Sequence, residues 1–280
     1  MTVAVVTDSA SALPAEVAEA NDIGIVPMGL AIGGLPVVES ALDTEELIAR
    51  FGEGITTSGP PPGDFAKAVE RAQTGDGVVV ITLAGELSGT YRSALLGAQE
   101  AGGAVEVVDS QTAAGAEALV ALAAVRAARA GGSLEEVAAV ARQATSEVSL
   151  VGSLSTLEYL VKGGHIPAAA GWAADRLHVR PVIELRQGKV RPLRPALGDE
   201  AARERLLTHW RRSRVEGAQL HIIAMHSLDA SEAADLLAVI KAEVQPVESF
   251  LSGFGTALVA HTGPSLVGLA WHWVVPSGVA

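Results

Sequence analysis

The sequence of 280 residues contains no cysteine and few aromatic residues, which make up 4% of the chain. Without cysteine the chain can form no disulfide bond, no thiolate metal site and no cysteine nucleophile. Hydrophobic residues make up 49%, yet no stretch of about 18 consecutive apolar residues occurs, so we expect no transmembrane segment. The apolar residues are therefore expected to form a core and the walls of a cavity.

Positive charge is also scarce, because 20 Lys and Arg residues stand against 32 Asp and Glu, for a formal net charge of -12. This charge repels nucleic-acid phosphates, so we do not expect nucleic acid as a partner. The apolar run near the start of the chain has no basic segment before it, which is typical of a first strand and not of an export signal. We therefore predict a cytoplasmic protein.

Short apolar runs at residues 3–6, 78–82 and 105–108 are each bounded by Gly, Asp or Ser. Helical patterns separate these runs, and the alternation predicts a parallel sheet with helices on both faces. Ser133, followed three residues later by Glu136, predicts a capping box at the start of a further helix. The other predicted helices cover residues 15–20, 44–51, 64–72, 91–101 and 115–130.

The second half of the chain shows a different pattern. Residues 185–190 predict a hairpin, and later strands are predicted at residues 221–225 and 270–275. At 280 residues two domains are the default. We predict an α/β fold of two closely packed domains with the ligand between them: an N-terminal α/β domain (1–147), with a parallel sheet flanked by helices, and a C-terminal α+β domain (148–280).

Six short segments rich in hydroxyl and turn residues lie where predicted strands end or helices begin. They are residues 7–9, 56–60, 87–91, 108–110, 157–160 with 163–164, and 261–264. In an open α/β fold the carboxyl ends of the strands border the ligand crevice, so polar groups collected there can surround one molecule. The pattern indicates a site for an anionic ligand.

The order of these segments, spread over nearly the whole chain, resembles the DegV family of bacterial fatty-acid-binding proteins. The resemblance implies that a long-chain fatty acid lies inside the protein, that Thr57, Ser88 and His261 hold its carboxylate, and that a fatty acid kinase phosphorylates it. No cofactor or metal is implied. The expected ligand-binding residues are Thr57, Ser58, Ser88, Gly89, His261 and Thr262. The residues expected to support and orient these ligand-binding residues are Thr7, Asp8, Ser9, Asp109 and Ser110.

These residue types also have purely structural explanations. Ser88 precedes a helical pattern and can act as its N-cap. Thr57 and Ser58 precede Gly59 and three prolines and can shape a turn, and Gly59 stands where the family has Gln. A lone His261 can be a packed core histidine. With a carboxylate bound, however, we expect His261 to be protonated, because the opposite charge raises the pKa of an imidazole.

Two departures from the family pattern concern the kinase. The family segment Gly-Gly-Arg-Ile reads Gly-Gly-His-Ile here, with His165 at the arginine position, and a later Arg-Thr pair corresponds to Gly198 and Asp199. The resemblance implies that these basic residues meet the kinase. Removal of positive charge lowers the on-rate and specificity of a charge-steered interface. We therefore expect weak or absent pairing with a kinase from another member's system.

Catalytic motifs are not supported. A nucleophile elbow would need Gly two residues before and after Ser88, where Glu86 and Thr90 stand. The Gly-Phe-Gly sequence at 253–255 lacks the third Gly of a dinucleotide fingerprint. We expect a binding protein and not an enzyme. The remaining alternative is an enzyme or binding domain for a small polar metabolite, related to the dihydroxyacetone kinase fold, with the same loops facing water.

Overall fold

The computed structural model describes residues 2–73, 75–167 and 179–276. Within these ranges the strands are Ala4–Asp8 (β1), Ile23–Val26 (β2), Gly29–Ile32 (β3), Leu35–Val37 (β4), Ile55–Ser58 (β5), Val78–Thr82 (β6), Val105–Asp109 (β7), Ser149–Ser153 (β8), Val179–Arg180 (β9), Val182–Arg186 (β10), Lys189–Pro192 (β11), Ala196–Leu197 (β12), Gln219–His226 (β13), Glu248–Gly253 (β14) and Val267–Val274 (β15). The helices are Ala15–Ala20 (α1), Thr44–Ala49 (α2), Pro62–Ala72 (α3), Thr90–Ala101 (α4), Ala114–Arg129 (α5), Leu134–Glu147 (α6), Glu158–Lys162 (α7), Asp199–Arg212 (α8), Ser231–Glu243 (α9) and Gly255–Thr262 (α10). No helix in the described ranges has both the length and the apolar character needed to cross a membrane.

The first sheet is parallel and has the strand order β2-β1-β6-β7. Its strand β6 is buried along its whole length, as expected for a continuous apolar run in a parallel sheet. Because successive side chains of a strand alternate, Val79 and Ile81 pack with α5 and α6, whereas Val78 and Val80 pack with α3 and α4. The predicted parallel sheet with helices on both faces is confirmed.

The second sheet is mixed and has the order β11-β10-β8-β15-β13-β14. Only the pair β13–β14 is parallel among its neighbouring strands, and all of these strands lie in the described ranges. The predicted hairpin is present as β10 and β11, and its turn residues Gln187 and Gly188 both have positive φ, as in a tight hairpin turn. Helices α8 and α9 cover one face of the sheet, where Trp210, Ile222 and Leu236 form part of the core.

Helix α5 lies between the two sheets. It contacts β1 and β6 on one side and β13 and β15 on the other, and 13 of its 16 residues are buried. A helix that is apolar on all sides is expected to be enclosed in this way. Gly115 lets the second sheet approach closely, because a Cβ at this position would lie 3.1 Å from the Ala270 Cβ and 3.2 Å from the Ile223 Cβ. The molecule is therefore built in five layers: α3/α4, the first sheet, α5/α6, the second sheet and α8/α9.

A few element boundaries differ from the sequence prediction. The helix predicted at 44–51 ends at Ala49 and is followed by a 3-10 turn at Phe51–Glu53, which Gly54 ends with a φ of 80°. The predicted capping box is confirmed: Ser133 Oγ accepts from the Glu136 N–H at 3.3 Å, and Glu136 Oε2 accepts from the Ser133 N–H at 2.8 Å. The predicted boundary between residues 147 and 148 falls between α6 and β8.

Candidate functional site

A cavity of about 380 Å³ is lined by residues from both halves of the chain. This volume lies within the range of roughly 300 to 1,000 Å³ that is usual for small-molecule sites. Most of its wall is aliphatic, in keeping with the low aromatic content of the sequence. The apolar lining residues are Ala10, Met28, Leu83, Leu87, Ala113, Ala114, Leu150, Val151, Leu160, Ile183, Leu185, Val190, Phe254, Ala257, Leu258 and Leu266.

All six residues predicted to bind a ligand line this cavity; they are Thr57, Ser58, Ser88, Gly89, His261 and Thr262. They come from β5, from the turn before α4 and from the end of α10. Gly59 brings the first two segments together, because a Cβ at Gly59 would lie 2.7 Å from Thr90 Oγ1 and 3.1 Å from the Thr90 nitrogen. Glycine at position 59 thus permits a close approach of the backbone to the start of α4. Ligand binding by the six residues stays a prediction.

Thr57, His261 and His165 form a chain of side-chain contacts. Thr57 and Ser58 lie on β5, which pairs with β3. The structural explanation from the sequence, that these two residues shape a turn, is therefore wrong. Thr57 Oγ1 is 2.6 Å from Nε2 of His261, which lies in the last turn of α10. His261 Nδ1 is 3.3 Å from His165 Nε2, and the two rings meet edge to face. His165, which the sequence associated with the kinase, lines the cavity.

The surroundings of both histidines favour the neutral imidazole. Burial, followed by the proximity of His165, lowers the pKa of His261 to about 4. Burial also lowers the pKa of His165. The carboxyl end of a helix favours a positive charge, but the loss of hydration at His261 outweighs that effect. The imidazolium expected from the sequence would need a bound carboxylate beside the ring, because the protein's own neighbours act in the opposite direction.

Ser88 lies at the start of α4. Its Oγ accepts the Thr90 N–H at 3.3 Å and is 2.8 Å from Thr90 Oγ1. Gly89, and not Ser88, occupies the N-cap position, and the first turn of α4 contains no acidic residue. The positive end of this helix is therefore not neutralised by its own side chains, and an anion placed next to Ser88 would be favoured.

Thr262 and Ser58 contribute less to this polar region. The Thr262 hydroxyl donates to the Leu258 carbonyl at 3.0 Å, so its proton is already engaged within α10. Ser58 is exposed, and its Oγ occupies space that Gly29 leaves free, since a Cβ there would lie 2.2 Å away. Thr57, Ser88 and His261 remain the polar side chains best placed to meet a ligand.

Two of the residues predicted to support the site, Asp8 and Ser9, hold segments of the cavity wall. Asp8 accepts the N–H groups of Ala10 at 3.0 Å and Leu83 at 2.9 Å, and both of these residues line the cavity. Ser9 Oγ accepts the N–H of Met28, another lining residue, at 2.9 Å. Asp8 and Ser9 therefore fix the backbone of three separate wall segments.

Asp109 and Ser110 act in the same way on neighbouring loops. Asp109 Oδ1 accepts the N–H groups of Gly85 at 3.1 Å and Gln111 at 2.8 Å. Ser110 exchanges hydrogen bonds with the backbone of Thr112, directly before the lining residues of the α5 start. Both residues brace the turns that follow β6 and β7.

Glu117 was not found by the sequence analysis. It is a fully buried carboxyl on α5, and Thr7 Oγ1 donates to its Oε1 at 3.0 Å. Burial, and then the nearby Asp8 charge, raise the pKa of Glu117 well above its usual value. Burial also raises the pKa of Asp8 to about 7, against the lowering effect of its backbone hydrogen bonds. The signal available in the sequence was a single acid inside an Ala-rich, apolar helix.

Comparison with known proteins identifies the family of this chain. The DegV family model matches residues 2–273. A DegV domain-containing protein of Streptomyces coelicolor is 35% identical over 274 residues, covering 95% of this chain and 97% of the relative. A fatty acid-binding protein of Thermotoga maritima is 30% identical over 278 residues, covering 96% of each chain.

Solved structures agree with the sequence matches. A DegV family protein from Thermus thermophilus, described as binding fatty acid, has a TM-score of 0.90 at 31% identity and covers 98% of this chain and 100% of its own. A DegV lipid-binding protein from Thermotoga maritima has a TM-score of 0.87 at 28% identity, covering 99% and 100%. The matched region includes both sheets and all the segments that line the cavity, and the resemblance inferred from the polar segments is thereby confirmed: the chain belongs to the DegV family.

Proposed function

We propose that this protein binds a long-chain fatty acid, with the carboxylate at Thr57, Ser88 and His261 and the acyl chain along the aliphatic wall. The observation that carries the proposal is a cavity whose wall is mostly aliphatic and whose polar side chains are Thr57, Ser58, Ser88, His165, His261 and Thr262. The relatives support it, since the similar proteins of Thermotoga maritima and Thermus thermophilus are described as fatty-acid-binding.

The two parts of the wall supply different contributions to binding. Each buried methylene contributes about 0.8 kcal/mol, so a tail of about 15 methylenes would gain about 12 kcal/mol before the ordering costs of association. The polar region fixes the direction of the ligand, because a carboxylate buried without hydrogen bonds would be costly. The Thr57 and Ser88 hydroxyls and the start of α4 provide the hydrogen-bonding capacity and the favourable dipole.

Mass spectrometry of lipid extracted from the purified protein tests this proposal. We expect a fatty acid in the extract at close to one molecule per chain. A delipidated sample should then take up hexadecanoate but not small polar molecules such as glycerol or dihydroxyacetone. Recovery of a polar metabolite, or uptake of dihydroxyacetone in place of hexadecanoate, would overturn the proposal in favour of the alternative given above.

We further propose that the bound fatty acid is presented to a fatty acid kinase and that the kinase contact differs from that of other members. Asp199 forms an ion pair with Arg180 at 2.9 Å, and Gly198 has a φ of 84°, which an arginine rarely adopts. Acyl-phosphate formation with a kinase from another DegV system should therefore be weak. A His165→Arg, Asp199→Thr variant should gain activity, whereas robust activity of the unmodified protein would contradict the proposed difference.

A further inference from the structure

His165 is held in place by the end of helix α7. The N–H of Gly164 donates to the Val161 carbonyl at 3.0 Å, and the N–H of His165 donates to the Leu160 carbonyl at 2.9 Å. Gly164 has a φ of 77°. These features define a Schellman motif, in which a left-handed glycine ends the helix and the following residue folds back onto it. The backbone of His165 is thus fixed by the Gly-Gly pair before it.

Gly163 makes room for the two imidazole rings. A Cβ at this position would lie 2.6 Å from His261 Nδ1 and 3.0 Å from His165 Cδ2. The centroids of the two rings are 4.7 Å apart, and the ring planes are inclined at 79°. The contact between His165 and His261 therefore depends on glycine at 163.

The direction of the hydrogen bonds in the His165–His261–Thr57 chain decides what Thr57 can offer to a ligand. If His261 carries its proton on Nδ1, its bare Nε2 accepts a hydrogen bond from the Thr57 hydroxyl, and Thr57 presents only lone pairs to the cavity. If His261 carries its proton on Nε2, it donates to Thr57 Oγ1, and the hydroxyl proton is free for a carboxylate. A donor facing Nδ1 favours the second arrangement, and His165 Nε2, which lies 3.3 Å from Nδ1, supplies one when it carries the His165 proton.

We propose that His165 is a positioning residue: by donating to His261 Nδ1 it places the His261 proton on Nε2 and makes the Thr57 hydroxyl a donor to the ligand carboxylate. In this proposal His261 stays neutral with the carboxylate bound, in place of the imidazolium expected from the sequence, and each hydrogen bond in the chain strengthens the next. This inference rests on the proposed fatty-acid function of the same cavity. It gives His165 a role inside the site, at the position where the family pattern has arginine.

The charged groups around the chain are consistent with neutral rings. Burial is the main cause of the lowered pKa of His261, and among the residues that the structure describes His165 is the neighbour whose charge lowers this pKa further. On α7, Tyr159 packs against Gly263, and Glu158 and Lys162 form an exposed ion pair at 2.6 Å. Strand β5 contributes the uncharged Thr57.

Nitrogen-15 NMR of the delipidated protein tests the first half of this inference, because protonated and bare imidazole nitrogens have distinct chemical shifts. In the wild type at neutral pH we expect the His261 proton on Nε2. His165→Phe keeps a ring beside His261 but removes the donor, and it should move the proton to Nδ1 or mix the two forms. His165→Gln supplies an amide donor and should restore the wild-type signal. A wild-type His261 with its proton on Nδ1, or a signal unaffected by His165→Phe, would overturn the inference.

Binding measurements test the second half, with hexadecanoate and its methyl ester as probes. His165→Phe should weaken hexadecanoate binding about tenfold, as expected for loss of a hydrogen bond to a charged group, and His165→Gln should largely restore it. The ester has the same tail but no carboxylate, so its affinity should change little in either variant. Equal losses for acid and ester, or no loss for either, would overturn the inference.

The NMR experiment and the binding experiment together separate this inference from the proposed function. If the wild type bound no hexadecanoate, the fatty-acid proposal would fail, whereas the NMR signal would still report whether His165 sets the His261 tautomer. If hexadecanoate bound with wild-type affinity to His165→Phe, the proposed function would stand and the role of His165 would be wrong.

Discussion

Thr57 and its neighbour Thr56 form a matched pair on one strand. Successive residues of a strand point to opposite faces, and here Thr57 lines the cavity while Thr56 is exposed. Their hydroxyls therefore have the same chemistry and the same local backbone but different surroundings. Comparing substitutions at Thr57 and Thr56 separates the effect of losing the cavity hydroxyl from the effect of altering the strand.

Thr57→Val keeps the shape of the side chain and removes its donor. A hydrogen bond to a charged group contributes about 1.5 to 3 kcal/mol, so we expect the Kd for hexadecanoate to rise about tenfold or more. Thr56→Val should leave the Kd unchanged. Titration calorimetry with delipidated protein measures both values. A similar Kd for the two variants would argue against a carboxylate site at Thr57.

The buried acids Asp8 and Glu117 predict an unusual dependence of stability on pH. Both have raised pKa values in the folded protein, to about 7 for Asp8, so between the ordinary carboxyl range and that value the unfolded chain has released protons that the folded chain retains. The free energy of unfolding should therefore fall as pH rises through this interval, because the folded state binds more protons.

Glu117→Gln should make this fall shallower. The amide cannot ionise, so it adds no pH dependence of its own, and it keeps an acceptor for the Thr7 hydroxyl. Urea unfolding at about pH 5 and about pH 8 should show the difference reduced by at least about 1.4 kcal/mol, the equivalent of one pKa unit. The exposed Glu70→Gln on α3 is the control and should leave the slope as in the wild type. An unchanged slope in Glu117→Gln would mean that these carboxyls ionise normally.

At the scale of whole elements, the packing of α3 against α4 depends on one glycine. A Cβ at Gly97 on α4 would lie 2.5 Å from the Pro62 carbonyl oxygen and 2.6 Å from the Phe65 Cβ. The Pro62 oxygen is a backbone atom of α3, and the Phe65 Cβ is fixed by the backbone of the same helix, so neither can move aside easily. The two helices can approach this closely only with glycine at this position.

Gly97→Ala should therefore push the two helices apart and destabilise the protein by about 1 to 3 kcal/mol. Gly63→Ala on α3 is the matched control, because a Cβ at Gly63 has no neighbour within 4 Å among the described residues. This control should be neutral or stabilising by up to about 1 kcal/mol, since alanine is less flexible in the unfolded chain. Chemical denaturation measures both changes. Equal effects would show that the contact at Gly97 does not limit how closely α3 and α4 approach.

The sequence predicted the elements whose patterns are long or continuous. The apolar run of β6 and the Ala-rich α5 are recognisable without any tertiary information. Strands β3, β4 and β5 were not predicted, because they have only three or four residues and pair through non-local contacts. Helix α10 was not predicted, since its positions are all buried or half-buried and carry no polar periodicity.

The candidate site could be predicted where hydroxyl side chains and turn-forming residues occur together in the sequence. Thr57, Ser88 and His261 each lie in a hydroxyl-rich segment, and the structure brings all three to one cavity. His165 was associated with a partner, because nothing in the sequence indicates that the end of α7 faces His261. Glu117 was missed because a lone acid in an apolar helix ordinarily faces water, and only packing between two sheets buries it.

At the scale of the whole molecule, the cavity and the middle layer join the two halves of the chain. Cavity residues come from both sides of the proposed domain boundary at 147 and 148. Ion pairs and hydrogen bonds also cross it: Arg126 on α5 contacts Glu248 at 3.2 Å, and His272 contacts Glu147 on α6 at 2.9 Å. The two halves are therefore expected to unfold together.

Fatty acid should stabilise this single unit. At a free concentration of about 100 times the Kd, a ligand that binds only the folded state adds about 2.7 kcal/mol. For a protein of this size that corresponds to a rise in Tm of about 5 °C or more. Calorimetry of delipidated protein with and without hexadecanoate should show one transition that moves as a whole. Two transitions, with only one shifted by the ligand, would contradict the expected coupling.

The position of α5 between the sheets also affects the synthesis of the chain. Translation completes the helix at Arg129, but the strands that cover its second face, β13 and β15, begin at Gln219 and Val267. At about 5 to 20 residues per second, the ribosome reaches Val267 roughly 7 to 28 s after Arg129. During that interval a nascent N-terminal half that has already formed its first sheet presents an uncovered apolar helix face. Chaperone binding, or premature association with another nascent chain, should therefore concentrate at α5.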